Sequence, residues 1–289
     1  MELNKQLDAA IKKSENGSEE EVYRTIERKA YENYMSNEKW EAFLKEMKKE
    51  HLIAYVQGYG NEISEKQGRY GIYPPKMASY GSSSRMIYNL LKEVEGIHFE
   101  KQLPTEVGGT ANLDGYLQRG ETEIFIEAKC REIYTKHTNI DIKKVYNEVF
   151  KDIKNDNAFH YKENKKTKTG YLNYSFFYGK TRIVRFDIKQ LICHFLGIAA
   201  NYIKNKSAKS KICFIYLIYN PEDLNIKELK DVYDRTIEEI KLFEPMMNDL
   251  FNAIFDYQKK ALNRDTKAPE FEFKIADQSN IEEIINSVK

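Results

Sequence analysis

Residues 112–131 read NLDGYLQRGETEIFIEAKCR, and the fold turns on this stretch. Ile124 to Cys130 is a β-like run, and Ala111 to Leu117 is a second one before it. Gln118-Arg119-Gly120-Glu121 between them has the composition of a hairpin turn, so the two runs are expected to pair antiparallel. Side chains alternate along a strand. Phe125, Glu127 and Lys129 therefore point one way, and Ile124, Ile126 and Ala128 the other. Asp114 on the first strand then lies close to Glu127. Two adjacent carboxylates repel unless a cation sits between them. Oxygen ligands and a largely hydrated octahedral site favour Mg²⁺ or Mn²⁺. Lys129 beside such a cation is placed to orient or deprotonate an attacking water or to steady the transition state, and the base role requires a pKa lowered by the nearby cation and by partial burial. The plainer alternative is a solvated Glu–Lys pair on an exposed strand face, worth little energetically.

Upstream, Met86, Ile87, Leu90, Leu91 and Val94 repeat as a helix that Gly96 ends, and Ile97 to Leu103 alternates as a strand closed by Pro104. Downstream, residues 131–160 carry Ile142, Val145, Val149, Phe150 and Ile153 in helical register. Residues 171–179 and 181–187 are expected to pair as a hairpin. A long helix is expected from Asp187 to Asn205. KICFIYLIY, residues 211–219, has the apolar content of a strand buried on both faces. A helix opened by Asn220-Pro221 and broken at Pro245, a further helix to Asn263, a strand from Phe271 to Ala276 and a short helix complete the order. The succession predicts an α/β fold, a central mixed sheet with helices on both sides.

The N-terminal part differs. Residues 1–50 are charged and helical in period, with a capping box at Ser18–Glu21 and an apolar stripe of Trp40, Phe43, Leu44 and Met47. Residues 57–84 are rich in Gly, Pro, Ser and Tyr and form a loop-rich connector, whose tyrosines either stack on bases or anchor the loop. The expected division is 1–80, helical extension plus connector, and 81–289, the main domain.

Leu113-Asp114-Gly115 followed by Glu127-Ala128-Lys129 resembles the two motifs of the PD-(D/E)XK nuclease superfamily, with Leu where proline often stands. The resemblance covers roughly residues 81–220. It implies the restriction endonuclease-like three-layer α/β/α fold, Mg²⁺ (or Mn²⁺) on Asp114, Glu127 and the Ala128 carbonyl, and hydrolysis of nucleic-acid phosphodiesters. Many members carry a glutamate on the helix before the first strand, and Holliday-junction resolvases have it in a Gly-x-x-Glu-Arg run. Here that run is Gly81-Ser82-Ser83-Ser84-Arg85, with serine in the acid's place. The serines read as helix caps, and Glu100 is an alternative source of the carboxylate. Related nucleases also place a glutamine early in the helix after the hairpin. Gln190 takes that position, although Asp187-Ile188-Lys189-Gln190 is equally a capping box. His194 reads as a packed helix residue.

Lys162, Lys165, Lys166, Lys168, Lys180, Arg182 and Arg185, interleaved with aromatics, have the make-up of a nucleic-acid-binding stretch, as does a solvated loop. The chain has 289 residues, 41% of them hydrophobic, and 46 basic against 45 acidic residues for a net charge of +1, so any attraction for nucleic acid is local. No apolar run approaches the length of roughly 18 residues that a membrane helix needs, and no signal-peptide core is present. Cys130, Cys193 and Cys213 lack paired spacing, which suits a reducing cytoplasm. The expectation is a DNA nuclease of restriction or repair type. Its rivals are an inactive nuclease fold kept as a binding or assembly module, and an RNA nuclease. Some related endonucleases cut both strands as homodimers, but this sequence has no interface signature.

Overall fold

The computed structural model describes residues 35–58, 62–68, 71–73, 75–134, 140–142, 160–164, 169–173, 186–205, 207, 209–224 and 227–288. The Ser18 capping box lies outside them, as do Val145, Val149, Phe150 and Ile153.

A five-stranded mixed sheet carries the structure. Its strands are β3 (His98–Pro104), β4 (Thr110–Arg119), β5 (Thr122–Lys129), β9 (Lys211–Ile218) and β10 (Glu270–Ala276), in the spatial order β10-β9-β5-β4-β3. β3, β4 and β5 are antiparallel neighbours, while β9 runs parallel to both β5 and β10. A parallel pair needs a crossover, and α4 (Ile188–Asn205) supplies it between β5 and β9. α5 (Lys227–Phe243) and α6 (Met247–Leu262) separate β9 from β10. The hairpin turn is tighter than its composition suggested: Arg119 pairs with Thr122, leaving Gly120 at φ 51° and Glu121 as the loop.

Each face of the sheet has its own core. On one, α4, α5 and α6 cover Phe125, Phe214, Phe271 and Phe273. On the other, α1 (Asn37–Glu46), α2 (Lys49–Gln57), α3 (Ser83–Leu91) and α7 (Ile281–Ser287) contribute to a core around Ile124, Ile126, Ala128 and Ile215. β5 is buried along its whole length. Gly197 of α4 sets how closely that helix approaches: a Cβ there would stand 2.6 Å from the Ala111 Cβ and 2.8 Å from the Leu103 carbonyl. No described helix is long and apolar enough to cross a membrane.

Three expectations need correction. The N-terminal stripe is split, since α1 ends at Glu46 and α2 begins at Lys49, though Trp40, Phe43 and Met47 still join the second core. The connector holds regular structure: β1 (Lys66–Gly68) pairs with β2 (Gly71–Tyr73), and a 3₁₀ turn spans Lys76–Ala78. Residues 131–160 are not one helix. Glu132–Tyr134 is a 3₁₀ turn, and β6 (Ile140–Ile142) joins β7 (His160–Asn164) and β8 (Thr169–Asn173) in a second, three-stranded sheet. Ile142 fits a helical period but pairs as a strand, an instance of tertiary context overriding local pattern.

A break in alternation positions the site. Ala111 and Leu113 bury toward α4, yet Leu117 buries on the opposite face, where Gly115 abuts Ile87 of α3. Phe99 and Leu103 of β3 divide in the same way. Both switches fall at one level of the sheet. The β3–β4 register passes from Phe99↔Gly115 to Lys101↔Leu113 and skips Glu100 and Asp114. Glu100 has φ 54°, in the left-handed region, which turns a strand's side chains over. The β4–β5 ladder ends at the same level, at Gly115↔Ile126.

Candidate active site

Past Gly115 the Asp114 side chain takes over from the backbone ladder: its Oδ2 accepts a hydrogen bond from the Ala128 N–H at 2.7 Å. A polar cavity of about 320 Å³ opens there, lined by Asp114, Glu127, Lys129 and Gln190 and, from other elements, Glu62 and Glu100.

Glu127 and Lys129 share a face, as alternation predicts, but they are not solvated. Glu127 is 2% exposed and Lys129 9%, which excludes the plain surface pair. Lys129 Nζ donates to Glu127 Oε1 at 2.5 Å and to Gln190 Oε1 at 2.6 Å. Burial opposes the charge on Glu127, but Lys129 and then His194 outweigh it and hold the carboxyl at about 2. Burial likewise opposes the charge on Lys129, and Glu127 overrides it, so the ammonium titrates above its usual range. As it stands Lys129 is an ammonium that donates hydrogen bonds, and acting as a base for the attacking water would need its pKa lowered by a nearby cation.

The helix after the hairpin resolves the two roles open to Gln190. Asp187 Oδ1 accepts from the Gln190 N–H at 3.0 Å and so starts α4, while the Gln190 side chain is free to reach Lys129. His194, one turn further, is more than a packed helix residue. Its Nε2 stands 2.9 Å from Glu127 Oε2. The contact lies outside hydrogen-bond geometry, leaving that buried oxygen without a partner. The spacing of Gln190 and His194, four apart on one helix face, is a signal the sequence does hold.

Two further acids crowd the cavity. Burial first, then Glu127 and Glu100, push the Asp114 carboxyl well above the usual range. Burial and next Glu62 push Glu100 up to about 8. Glu62 is a residue that sequence reasoning missed. It is one of two acids, with Glu65, in a Gly- and Tyr-rich run, and no motif marks it. It is 6% exposed, and its Oε1 accepts from Lys76 Nζ at 2.7 Å. Gly58 fits the Glu100 side chain, because a Cβ there would meet Glu100 Oε2 at 2.7 Å.

The serines at the start of α3 act as caps and braces. Ser82 accepts from the Arg85 N–H, Ser83 donates to Glu132 Oε1, and the Ser84 carbonyl accepts from the Tyr55 hydroxyl. Ser84 lines the cavity but brings no charge to it. Arg85 does not line it; its guanidinium stacks on the Tyr80 ring at 4.4 Å. The side chains of Lys162, Lys165, Lys166, Lys168, Lys180, Arg182 and Arg185 lie outside the description.

Among the described residues no group of three or more His, Cys, Asp or Glu side chains is set to hold a metal ion unaided. What is present is a pair of carboxylates, Asp114 and Glu127, with the Ala128 peptide between them and one Glu127 oxygen unpartnered. That set suits a cation that keeps several waters, as Mg²⁺ does. No family model, curated protein or solved structure matches the chain.

Proposed function

We propose that the chain is a metal-dependent nuclease of the PD-(D/E)XK type, with the restriction endonuclease-like fold, hydrolysing DNA phosphodiester bonds. The observation that carries this reading is the convergence of Asp114, Glu127 and Lys129 where β4 parts from β5, with Gln190 on Lys129. The order α3, β3, β4, β5, α4, β9 supports it, since the resemblance implies the same succession of elements.

Asp114, Glu127 and the Ala128 carbonyl would hold Mg²⁺ or Mn²⁺, which supplies charge neutralisation at the phosphate and acidifies a bound water. The protein's own groups do the rest. Lys129, locked as an ammonium by Glu127 and Gln190, donates hydrogen bonds toward the attacking water and the non-bridging phosphate oxygens. The water gives up a proton to solvent as its oxygen bonds to phosphorus, and the leaving oxygen takes a proton from solvent as its bond breaks. The ammonium steadies the charge that gathers there. Gln190 fixes the ammonium's direction. His194 faces the other Glu127 oxygen, Oε2, at 2.9 Å. The free thiol of buried Cys213 suits a reducing cytoplasm.

A second reading has its own observation. Glu127 is already engaged by Lys129 and faced by His194, and the described side chains form no three-ligand cage. That arrangement also fits a silent nuclease fold that binds nucleic acid. Plasmid, linear and single-stranded DNA, with RNA as competitor, incubated with Mg²⁺ or Mn²⁺ separate the two. Cleavage lost in Glu127→Ala and in Lys129→Ala supports the nuclease. Tight binding without cleavage in either metal supports the silent module. Cleavage persisting in both variants overturns the site assignment.

A further inference from the structure

The connector between α2 and α3 forms one wall of the cavity, through Glu62, Lys76 and Ser79. It is firmly seated there. Met77 is fully buried, Ala78 is 4% exposed, and the Met77 N–H donates to the Glu62 carbonyl at 2.9 Å. Lys76, between buried neighbours, projects outward with its side chain 43% exposed, whereas the Glu62 side chain beneath it is 7% exposed. An ammonium thus lines the same cavity as Glu100, Asp114 and Glu127.

A phosphodiester entering this cavity meets the Glu62 and Glu127 carboxyls, and Lys129, bonded to Glu127 and Gln190, serves the scissile phosphate, which leaves a flanking phosphate to another cation. Ordinary exposed ion pairs contribute little stability. Glu62 is different, because burying a carboxylate with one oxygen unpartnered costs stability. What that cost secures is an ammonium of fixed position, since Nζ is held 2.7 Å from Glu62 Oε1 on a backbone pinned by Met77.

We infer that Lys76 binds a phosphate flanking the scissile one, and that Glu62 is the positioning residue that aims it. The connector is then part of the substrate-binding surface, and its ligand is the sugar–phosphate backbone, contacted without base reading. The inference rests on the nuclease reading of the cavity.

Anisotropy of a short labelled single-stranded DNA, titrated in Ca²⁺ over a range of salt, tests it, with strand integrity checked on a gel. Lys76→Ala is expected to weaken binding about fivefold to tenfold and to lower the salt slope by about 0.7, one phosphate's worth. Lys76→Arg should restore both. Glu62→Ala is the sharper variant. Simple charge counting expects it to tighten binding by removing an acid, whereas a positioning role expects it to weaken binding toward the Lys76→Ala level. Wild-type binding and slope in Lys76→Ala, or tighter binding in Glu62→Ala, overturns the inference and leaves the nuclease reading intact. No binding of DNA or RNA by the wild-type chain overturns both. Thermal melts of each variant separate lost contacts from lost folding, and Lys76→Gln repeats the test if Lys76→Ala melts early.

Discussion

Glu123 and Glu127 sit on the same strand and the same face, four residues apart, and are almost equally buried at 4% and 2%. Their surroundings differ in kind. Both Glu123 oxygens accept hydrogen bonds from neutral hydroxyls, Tyr116 at 2.8 Å and Ser207 at 3.1 Å, so the acid staples the start of β5 to the chain before β9. Glu127 faces a lysine and a histidine, keeps one oxygen unpartnered, and lies where the neighbouring strand has parted. Burial of an acid therefore says little about function. Incomplete satisfaction, charged company and an adjoining cavity say more.

The comparison breaks most sharply in activity. Glu127→Gln and Lys129→Ala should each reduce DNA cleavage by about a thousandfold, the scale for removing a group that steadies transition-state charge. Glu123→Gln should cut at the wild-type rate per folded molecule, so single-turnover cleavage of all three is the check. Stability should show the reverse ranking for the staple. Glu123→Ala strands two hydroxyl partners and is expected to lose about 2 kcal/mol in denaturant unfolding, with turnover of the folded fraction unchanged.

Gln190→Ala tests whether the amide aims Lys129. It should lower kcat about tenfold with little change in KM, the pattern of an interaction felt mainly in the transition state. A rise in KM alone would assign Gln190 to binding.

The remaining effect is a slope. Glu100 titrates at about 8 in the folded chain, against an ordinary carboxylate value near 4.5. A raised folded pKa means that the folded state holds the proton longer. The resulting stability is fully present below about pH 4.5 and is lost as pH rises toward 8. Glu100→Gln should flatten that decline by about 1 kcal/mol per pH unit, measurable by melts across this window. An unchanged slope would show that Glu100 is not held protonated.

Much of this was legible in the sequence because it rests on short-range rules. Alternation placed Glu127 and Lys129 on one face, the hairpin brought Asp114 across, and the cap at Asp187 started α4 where expected. What escaped has a physical reason in each case. The face switch at Glu100 and Asp114 depends on a left-handed residue inside a strand, and Glu carries no mark of that as Gly would. Glu62 reaches the cavity through the tertiary seating of Met77, which no local pattern encodes. Ile142 belongs to a small second sheet whose partner strands come later in the chain. His194 could have been found from its spacing to Gln190, but only after Gln190 had been assigned to the site.

The central claim is that Asp114 and Glu127 share a catalytic divalent cation beside Lys129, and a structure determined from crystals soaked in Mn²⁺, with anomalous data, tests it most directly. The expected result is an anomalous peak between the two carboxylates, bounded by the Ala128 carbonyl, with Lys129 Nζ within hydrogen-bond reach of a ligated water. Glu127 still held only by Lys129 and His194, with no Mn²⁺ at Asp114, would contradict it.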